Sequence, residues 1–449
     1  MIRFRSIITK SLLAFSLLSV MSCSNSDYEN ALPANATALM SMDIGKMAGT
    51  NNEFLLKALL KTSNIGDCGI DLTRRLYLFE TQNGSFGLCA SVTDEAKLRD
   101  KIGKLAAKGV CSSVSVRRGF AFSTINGKWL AGWSDNSLLV MGPVLPADES
   151  KMQNTLCRYL SQEEEESGKA SALFERLDTI NSKMGLVARA DAMPEKVSSA
   201  LMLGAPKNAD ASQVLLAADM DILKGRLEIN GKTFSLNKNI NAALDSARAS
   251  LRPIEGKYVK TLNKNDLLGV FMNVEGTKLL PMLRNNRALQ VLLFGLNTAV
   301  DMDNIIMSID GDLAMTVPRL SDTGMKLSMA AQLDNADWLK DVDYWKKSCP
   351  QGSSIIDWNK NSYCYSDKSM NFFFGVTDDL QFFSGSSKEE AMASLKGDNA
   401  ENTDLSNQII GKKMVTILNL PALGDSFGVL SELLKPLFGK FNKVVYTID

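Results

Sequence analysis

A serine lies in the spacing of a hydrolase nucleophile within Gly424-Asp425-Ser426-Phe427-Gly428. The G-x-S-x-G pattern is typical of the strand-to-helix turn that presents the catalytic serine in α/β-hydrolases. In those enzymes a histidine takes the serine proton. The chain has 0 histidines. We therefore interpret the segment as a loop that leads into a helix, and not as a catalytic site.

The absence of histidine excludes further chemistry. It removes cysteine–histidine nucleophiles, histidine-ligated zinc and proton switching at about pH 6.5. A serine–lysine pair needs no histidine, and Ser235 and Lys238 match its S-x-x-K spacing. We expect this pair at the end of a strand, whereas the spacing places both groups on one face only in a helix. A structural role is the better interpretation.

Four aspartates, Asp301, Asp303, Asp310 and Asp312, crowd one stretch and suggest calcium. The EF-hand spacing is not met, because Ile305 occupies the third ligand position. A polar turn between two strands explains Asp310 and Asp312 without a metal. The sequence therefore predicts neither a metal site nor a cofactor.

Six cysteines follow position 23 at wide spacings, with no C-x-x-C pair, which argues against zinc and thioredoxin-type sites. They are Cys68, Cys89, Cys111, Cys157, Cys349 and Cys364. Cys349 and Cys364 flank two candidate strands. A disulfide between these two and six small buried thiols are alternatives that both remain open.

The N-terminal residues 1–22 have the pattern of a secretory leader. Basic residues come first, and an apolar core of about ten residues follows, too short for a membrane-spanning helix. The core ends in Val20-Met21-Ser22-Cys23, which resembles the bacterial lipobox cut by signal peptidase II. The resemblance implies that Cys23 becomes the lipidated N-terminus, with palmitate-like acyl chains. The alternative is an ordinary leader with an incidental cysteine.

Composition and charge limit the remaining possibilities. The chain has 449 residues, 45% hydrophobic and 22% charged, which is typical of a globular protein with enough length for two domains. Lys+Arg and Asp+Glu are equal at 50 each, so no general attraction to nucleic acid or to an anionic membrane surface is expected. The leader is the only membrane signal.

Alternation and turn residues predict strands and helices in the first half. A strand at 38–43 and a helix at 52–61 precede a hairpin at 75–80 and 85–92, which turns at Asn83 and Gly84. Further elements are predicted at 94–105 (helix), 113–117, 119–125, 128–134 and 138–141 (meander), 149–160 (helix), 185–190 (strand), 213–221 and 225–234 (hairpin) and 241–251 (helix).

The second half repeats this order. Its predicted elements are a strand at 266–274, a helix at 277–296, strands at 304–310, 312–317 and 325–333, a meander at 362–365, 370–377 and 380–384, a helix at 387–395 and strands at 413–418 and 444–449. We expect an α+β fold of two tandem related units, 32–255 and 256–449, each a mainly antiparallel meander sheet with packed helices. Residues 23–31 form a tether. The alternative is the alternation found in any α+β protein.

The aromatic residues allow two interpretations. Phe372, Phe373 and Phe374 alternate faces on one strand, and Phe382 and Phe383 lie on the next. Five tryptophans raise the same question: Trp129, Trp133, Trp338, Trp345 and Trp358. Buried strands use such residues routinely, so a core role is favoured. If exposed, they form a platform for a sugar or a peptide.

Several features together resemble an uncharacterised family of Bacteroidetes lipoproteins whose members carry a domain of unknown function. The features are Ser22-Cys23, the start Leu32-Pro33-Ala34-Asn35-Ala36, and the two-copy pattern with Ile309-Asp310-Gly311-Asp312. The likeness covers nearly the whole chain. It brings no catalytic residues.

We expect a lipid-anchored cell-envelope protein that acts as a binding or structural module. The lipid on Cys23 attaches it to the membrane, and Ser24 after the cysteine favours the outer membrane by the usual sorting rule. Whether it faces the periplasm or the outside is open. Its partner is another envelope protein or a glycan. The alternative is a histidine-free enzyme, such as a glycoside hydrolase with two carboxylates.

Overall fold

A computed structural model describes residues 27–47, 68–193, 198–199, 201–223, 225–263, 266–286, 299–318, 320–321, 324–325, 327–368, 370–396, 403–421 and 442–449. The fold is α+β, with mostly antiparallel sheet and several helices. Its contacts divide the described chain into two compact units. One comprises residues 27–36 and 68–175, and the other comprises 37–47 and the described residues from 176 to 449.

The strands, in chain order, are β1 Ala36–Asp43, β2 Arg75–Thr81, β3 Phe86–Ser91, β4 Ser115–Arg117, β5 Phe120–Ile125, β6 Trp129–Trp133, β7 Ser137–Gly142, β8 Met184–Arg189, β9 Leu215–Leu223, β10 Arg226–Phe234, β11 Leu251–Arg252, β12 Leu268–Glu275, β13 Ile309–Val317, β14 Leu320–Ser321, β15 Gly324–Met325, β16 Ser328–Leu333, β17 Ser354–Asn359, β18 Ser362–Ser366, β19 Asn371–Val376, β20 Gln381–Gly385, β21 Met414–Asn419 and β22 Lys443–Ile448.

The α-helices are α1 Ile44–Met47, α2 Glu95–Ala107, α3 Glu149–Leu160, α4 Ala172–Asp178, α5 Lys238–Ala249, α6 Gly276–Asn285, α7 Met302–Met307, α8 Val342–Ser348, α9 Lys388–Ala393 and α10 Thr403–Ile409. Short 3-10 helices occur at Asp27–Ala31, Pro146–Asp148, Glu164–Glu166, Gly168–Ala170, Ala190–Ala192, Ala211–Gln213, Val259–Thr261 and Asp337–Asp341. Among the described residues, no helix combines the length and apolarity needed to cross a membrane.

The first unit contains an antiparallel sheet in the order β2-β3-β7-β6-β5-β4. Helix α3 packs against β6 and β7. The close approach explains Gly132 on β6, because a Cβ there would meet the Phe122 ring at 2.7 Å and the Leu156 side chain at 3.3 Å. Burial of Phe122, Trp133, Leu139 and Leu156 makes this interface part of the core.

The second unit contains one continuous sheet in the order β1-β8-β9-β10-β22-β21-β12-β13-β16-β20-β19-β18-β17. The β10–β22 pair is parallel, and the other pairs in this order are antiparallel. The core on one face contains Trp338, Trp345, Phe374 and Phe382. Strand β12 pairs with β13 along one edge. Along its other edge, residues 268–272 pair with β21, and Asn273 and Val274 pair with β11.

Most of the predicted elements are confirmed within a few residues, including the hairpin of β2 and β3 and helix α3. Other stretches differ from the prediction. The helix expected at 277–296 ends at Asn285. Residues 27–31, placed in the tether, form a 3-10 helix in which Tyr28 and Ala31 are buried. Residues 304–310 were expected to form a strand, but α7 occupies Met302–Met307. The side chain of Asp301 accepts a hydrogen bond from the backbone N–H of Asn304, which caps this helix at its start.

The turn predicted at Asp310-Gly311-Asp312 is also wrong, because these residues lie inside the continuous strand β13. They form an irregularity there and not a reversal of the chain. The predicted helix at 52–61 lies outside the described residues, as does the segment around Ser426.

Candidate functional site

Three polar residues form a row across neighbouring strands of the second unit. Arg252 of β11 lies opposite Asn273 of β12, which in turn lies opposite Asp312 of β13. Arg252 Nε donates to Asn273 Oδ1 at 2.8 Å, and Asn273 Nδ2 donates to Asp312 Oδ1 at 3.0 Å. Directly opposite residues point to the same face of a sheet, so the register itself creates this chain of hydrogen bonds.

Asp312 also anchors the loop that follows β11. Its carboxylate accepts from the backbone N–H groups of Glu255 at 2.9 Å, Gly256 at 2.7 Å and Lys257 at 2.8 Å. Both Asn273 and Asp312 are only 3% exposed. A buried carboxylate needs such a set of donors to be tolerated. The two buried side chains therefore fix both the loop and the orientation of Arg252.

A bulge in β13 opens the sheet beside this row. Ile309 pairs with Leu333 and Leu313 pairs with Ala331, so residues 310–312 of β13 face the single residue Gln332 of β16. Gly311 in the bulge has φ of 142°, and a Cβ there would come within 2.9 Å of the Gln332 side chain. Bulges commonly redirect side chains next to functional sites.

A cavity of about 580 Å³ lies over the bulge and the polar row. Its lining consists of Arg252, Pro253, Ile254, Glu255, Asn273, Asp310, Gly311 and Gln332. The guanidinium of Arg252 pairs with Asp310 Oδ1 at 2.6 Å, and these side chains are 40% and 44% exposed. The lining therefore contains a guanidinium, two carboxylates and two amides, of which the Asn273 amide is buried.

The cavity offers hydrogen bonding more than acid–base chemistry. A guanidinium has five N–H donors. Arg252 uses one toward Asn273 and one toward Asp310, which leaves about three N–H groups for a ligand. Glu255 is exposed at the rim and supplies acceptor oxygens. Gln332 contributes one amide, which both donates and accepts.

The serine candidates take no part in this site. Ser235 lies at the end of β10, where its hydroxyl donates to Gln213 O at 2.6 Å and accepts from the N–H of Asn237 at 3.1 Å. Asn237 caps helix α5, and Lys238 is the first residue of that helix. These contacts explain Ser235 as a helix-start motif. Ser426 lies outside the described residues.

The four aspartates that suggested calcium have separate roles. Asp301 caps α7, Asp303 pairs with Arg284, Asp310 pairs with Arg252, and Asp312 anchors the loop after β11. Within the described ranges, no three cysteine, aspartate or glutamate side chains come together as a metal site would require. Asp310 nevertheless lines the cavity, and Asp312 holds the loop that contributes Glu255 to it.

The six cysteines after position 23 are free thiols in the structure. Cys349 and Cys364 do not form a disulfide, and Cys364 is buried. Burial raises the pKa of the Cys364 thiol, while the charge of Lys388 lowers it. Cys23, the predicted lipidation site, lies outside the described residues.

Most of the aromatic candidates are core residues. Trp133, Trp338, Trp345, Phe372, Phe374, Phe382 and Phe383 are buried. The rings of Trp338 and Trp345 stack at 6.0 Å. Trp358 is half-buried, with its Nε1 donating to Tyr363 O and Lys388 Nζ lying 5.7 Å from its ring centroid. These neighbours contact the Trp358 ring, which does not favour its use as a stacking platform for a sugar or a peptide.

Other buried titratable groups lie outside the cavity lining. Burial raises the pKa of Asp266 just before β12, and the charge of Glu390 raises it further, while the N–H of Asn263 lowers it. In the first unit, burial and then Glu29 raise the pKa of Tyr77, whose hydroxyl donates to Glu29 Oε1 at 2.8 Å. These groups are explained by core packing.

Sequence reasoning missed Arg252, Asn273, Glu255 and Gln332 as site residues. It placed the boundary between the two predicted units near residues 253–257, which is the loop that Asp312 holds. The one usable signal was Asp310-Gly311-Asp312, since a glycine between two aspartates in a strand indicates a bulge.

Two solved structures resemble the chain weakly. The first is "Structure of crystal form IV of TP0453", with a TM-score of 0.26, 12% identity, and coverage of 43% of this chain and 75% of that chain. The second is "Structure of crystal form III of TP0453", with a TM-score of 0.25, 10% identity, and coverage of 82% and 96%. Likeness at this level carries no argument about function. No curated protein matches the sequence.

A family comparison covers most of the chain. Residues 37–402 match the model described as "Domain of unknown function (DUF4836)". This range includes every residue that lines the cavity. The chain therefore belongs to the DUF4836 family.

Proposed function

We propose that this protein is a lipid-anchored cell-envelope protein of the Bacteroidetes type and that it binds its ligand in the cavity at Arg252. The anchor is supported by the lipobox-like Val20-Met21-Ser22-Cys23 after a short apolar leader. The observation that carries the binding function is the pair of buried side chains, Asn273 and Asp312, beneath Arg252. Held in this way, an arginine binds with little loss of conformational freedom.

The proposal includes an internal duplication of the chain. Strand β8 lies between β1 and β9, just as β21 lies between β12 and β22. The order β2-β3-β7-β6-β5-β4 also corresponds, in chain order, to β13-β16-β20-β19-β18-β17. Two unrelated α+β segments have no reason to share so many pairings in one order.

Residue register supports the same duplication. Met42 pairs with Met184, and Met272 pairs with Met414. Met272 follows Met42 by the same number of residues as Met414 follows Met184. Met184 also pairs with Met220, and Met414 pairs with Ile448, and an aspartate follows each of these partners, Asp221 and Asp449. An experimental structure in which residues 36–223 and 268–449 superpose strand for strand supports the duplication, and differing strand orders contradict it.

A fatty-acid labelling experiment tests the anchor. Cells expressing the full-length chain are fed a clickable fatty acid, and the purified protein is tested for the label. We expect Cys23→Ala to abolish labelling and to release the protein from the membrane fraction. Cys111→Ala is the matched control and keeps both. Unchanged labelling of the Cys23→Ala protein contradicts the proposal.

The second candidate function is a histidine-free enzyme, because the cavity lining includes two carboxylates, Glu255 and Asp310. A glycosidase of this class needs both carboxylates to face the scissile bond. Arg252 engages Asp310 at 2.6 Å, which favours binding over catalysis. Turnover of a glycan by the pure protein, lost in both Glu255→Gln and Asp310→Asn, would establish the enzyme instead.

A further inference from the structure

We infer that the cavity at Arg252 takes an uncharged carbohydrate. The inference rests on the proposed binding function and adds the class of ligand. It depends on three properties of the cavity: its mixture of donors and acceptors, its balance of charge and its rigid support.

The cavity lining mixes donors and acceptors. Arg252 has N–H groups beyond the two that bond to Asn273 and Asp310, Asp310 and Glu255 have carboxylate oxygens, and the amide of Gln332 can both donate and accept. Each sugar hydroxyl donates one hydrogen bond and accepts others. A polyhydroxylated ring therefore satisfies a mixed set of partners that neither a purely anionic nor a purely cationic ligand can satisfy.

The charges disfavour an anionic ligand. One guanidinium faces two carboxylates in the lining, and one of these carboxylates already pairs with it. The backbone N–H groups of Glu255, Gly256 and Lys257 would make an anion-binding loop, but they donate to Asp312. The backbone N–H groups of this loop are thus not free for a phosphate or sulfate, since the carboxylate of Asp312 occupies them.

A cationic ligand is also disfavoured. Asp310 forms an ion pair with Arg252. Among the described acidic residues of the lining, this leaves Glu255 to attract a cation. A cation at Asp310 would have to displace the guanidinium, and Asn273 holds that guanidinium from below at 2.8 Å. Neutral hydroxyl groups can bond to Arg252 and Asp310 together without separating them.

Size and shape suit a small saccharide. The cavity volume of about 580 Å³ lies inside the range of small-molecule sites, roughly 300–1,000 Å³. Exposed Pro253 gives one part of the lining an apolar surface, which suits the C–H face of a pyranose. The buried support by Asn273 and Asp312 keeps the polar wall in place before the ligand arrives.

Titration calorimetry and saturation-transfer NMR on the full-length lipoprotein test the inference. The detergent must lack a sugar headgroup. The neutral probes are glucose, galactose, mannose, N-acetylglucosamine and their disaccharides, and the charged probes are glucuronate and glucosamine. We expect a neutral probe to bind at least tenfold more tightly than its charged relative.

Variants at the rim locate the binding. We expect Arg252→Lys, which keeps the charge but loses the forked guanidinium, and Glu255→Gln each to weaken the Kd at least tenfold. Glu389→Gln, an exposed change on α9, is the control and leaves the Kd unchanged. Thermal unfolding of each variant confirms that it is folded, and Glu255 is exposed enough to be replaced safely.

The outcomes separate the two proposals. A preference for glucuronate or glucosamine, or saccharide binding that survives both rim variants, overturns the inference. If no saccharide binds while another envelope compound binds and is lost in Arg252→Lys, the binding function stands and the carbohydrate inference fails. If every bound compound is indifferent to both variants, the proposed binding at this cavity fails as well.

Discussion

Arg252 Nε donates to Asn273 Oδ1 over 2.8 Å, and the two residues lie directly opposite each other on β11 and β12. The Nδ2 group of the same Asn273 donates a hydrogen bond to Asp312 Oδ1. The amide orientation is therefore fixed by one donor on one side and one acceptor on the other. This arrangement makes Asn273 the residue on which the geometry of the cavity depends.

Replacement of Asn273 by leucine should destabilise the protein. The side chain is similar in size but leaves the buried Asp312 and the Arg252 Nε without one partner each. We expect the free energy of unfolding to fall by about 2–4 kcal/mol. Urea unfolding measures it, with Asn239→Leu on the exposed face of α5 as the control. A loss as small as that of the control would show that the row contributes little.

Replacement of Asp312 by alanine should release the loop after β11. The amides of Gly256 and Lys257 both donate to this carboxylate. We expect their hydrogen exchange to accelerate at least tenfold, because their protection depends on this acceptor. Asp310→Ala removes a neighbouring carboxylate that does not accept from them and serves as the control. Equal exchange in both variants would contradict the anchoring role.

Two glycines should respond oppositely to alanine. A Cβ on Gly276 would lie 1.7 Å from the backbone oxygen of Ile306, whereas a Cβ on Gly103 in α2 meets nothing within 4 Å. We expect Gly276→Ala to lower the free energy of unfolding by about 2 kcal/mol or more, since backbone must move. Gly103→Ala should raise it by roughly 0.5–1 kcal/mol. Chemical denaturation compares them, and a shift of the same sign in both would refute the packing argument.

The pKa of Asp266 predicts a pH dependence. Burial raises this pKa in the folded protein, so the folded state holds the proton more tightly than the unfolded state does. The resulting stability is complete below the unfolded pKa of about 3.9 and is lost as the pH rises through the folded value. We therefore expect the free energy of unfolding to fall less between about pH 4 and pH 7 in Asp266→Asn than in the unsubstituted protein.

Urea unfolding at the two pH values measures this effect, with the exposed Asp135→Asn as the control. The asparagine keeps an oxygen for the Asn263 N–H, which donates to Asp266 at 2.7 Å. An unchanged difference between the two pH values in Asp266→Asn would show that this carboxyl does not contribute.

Local pattern predicted many elements, because capping and alternation are local properties. Helix α3 and the hairpin of β9 and β10 were predicted correctly for this reason. The stretch around Ile305 and Ile306 was not, since a short apolar run fits a strand and a buried helical turn equally well. The cap by Asp301 decided for the helix.

The cavity was beyond sequence reasoning for a different reason. It depends on Arg252, Asn273 and Asp312 being opposite one another, and the chain between them is long. Their pairing is set by the order of whole strands and by a bulge, and neither has a local signature strong enough to fix a register. Asp312 illustrates the point, because its spacing suggested a turn while its tertiary contacts make it an anchor.

The pairing of β10 with a strand far along the chain determines when this part of the sheet can be completed. The second edge of β10 pairs with β22 in parallel, from Arg226 opposite Lys443 to Asn230 opposite Thr447. These strands are far apart along the chain, so their pairing is a slow, non-local event. Until β22 pairs with it, β10 presents an unsatisfied β-edge to its surroundings, the kind of surface that recruits other chains. Protection of this edge until residues 443–448 are in place is thus built into the connectivity of the fold.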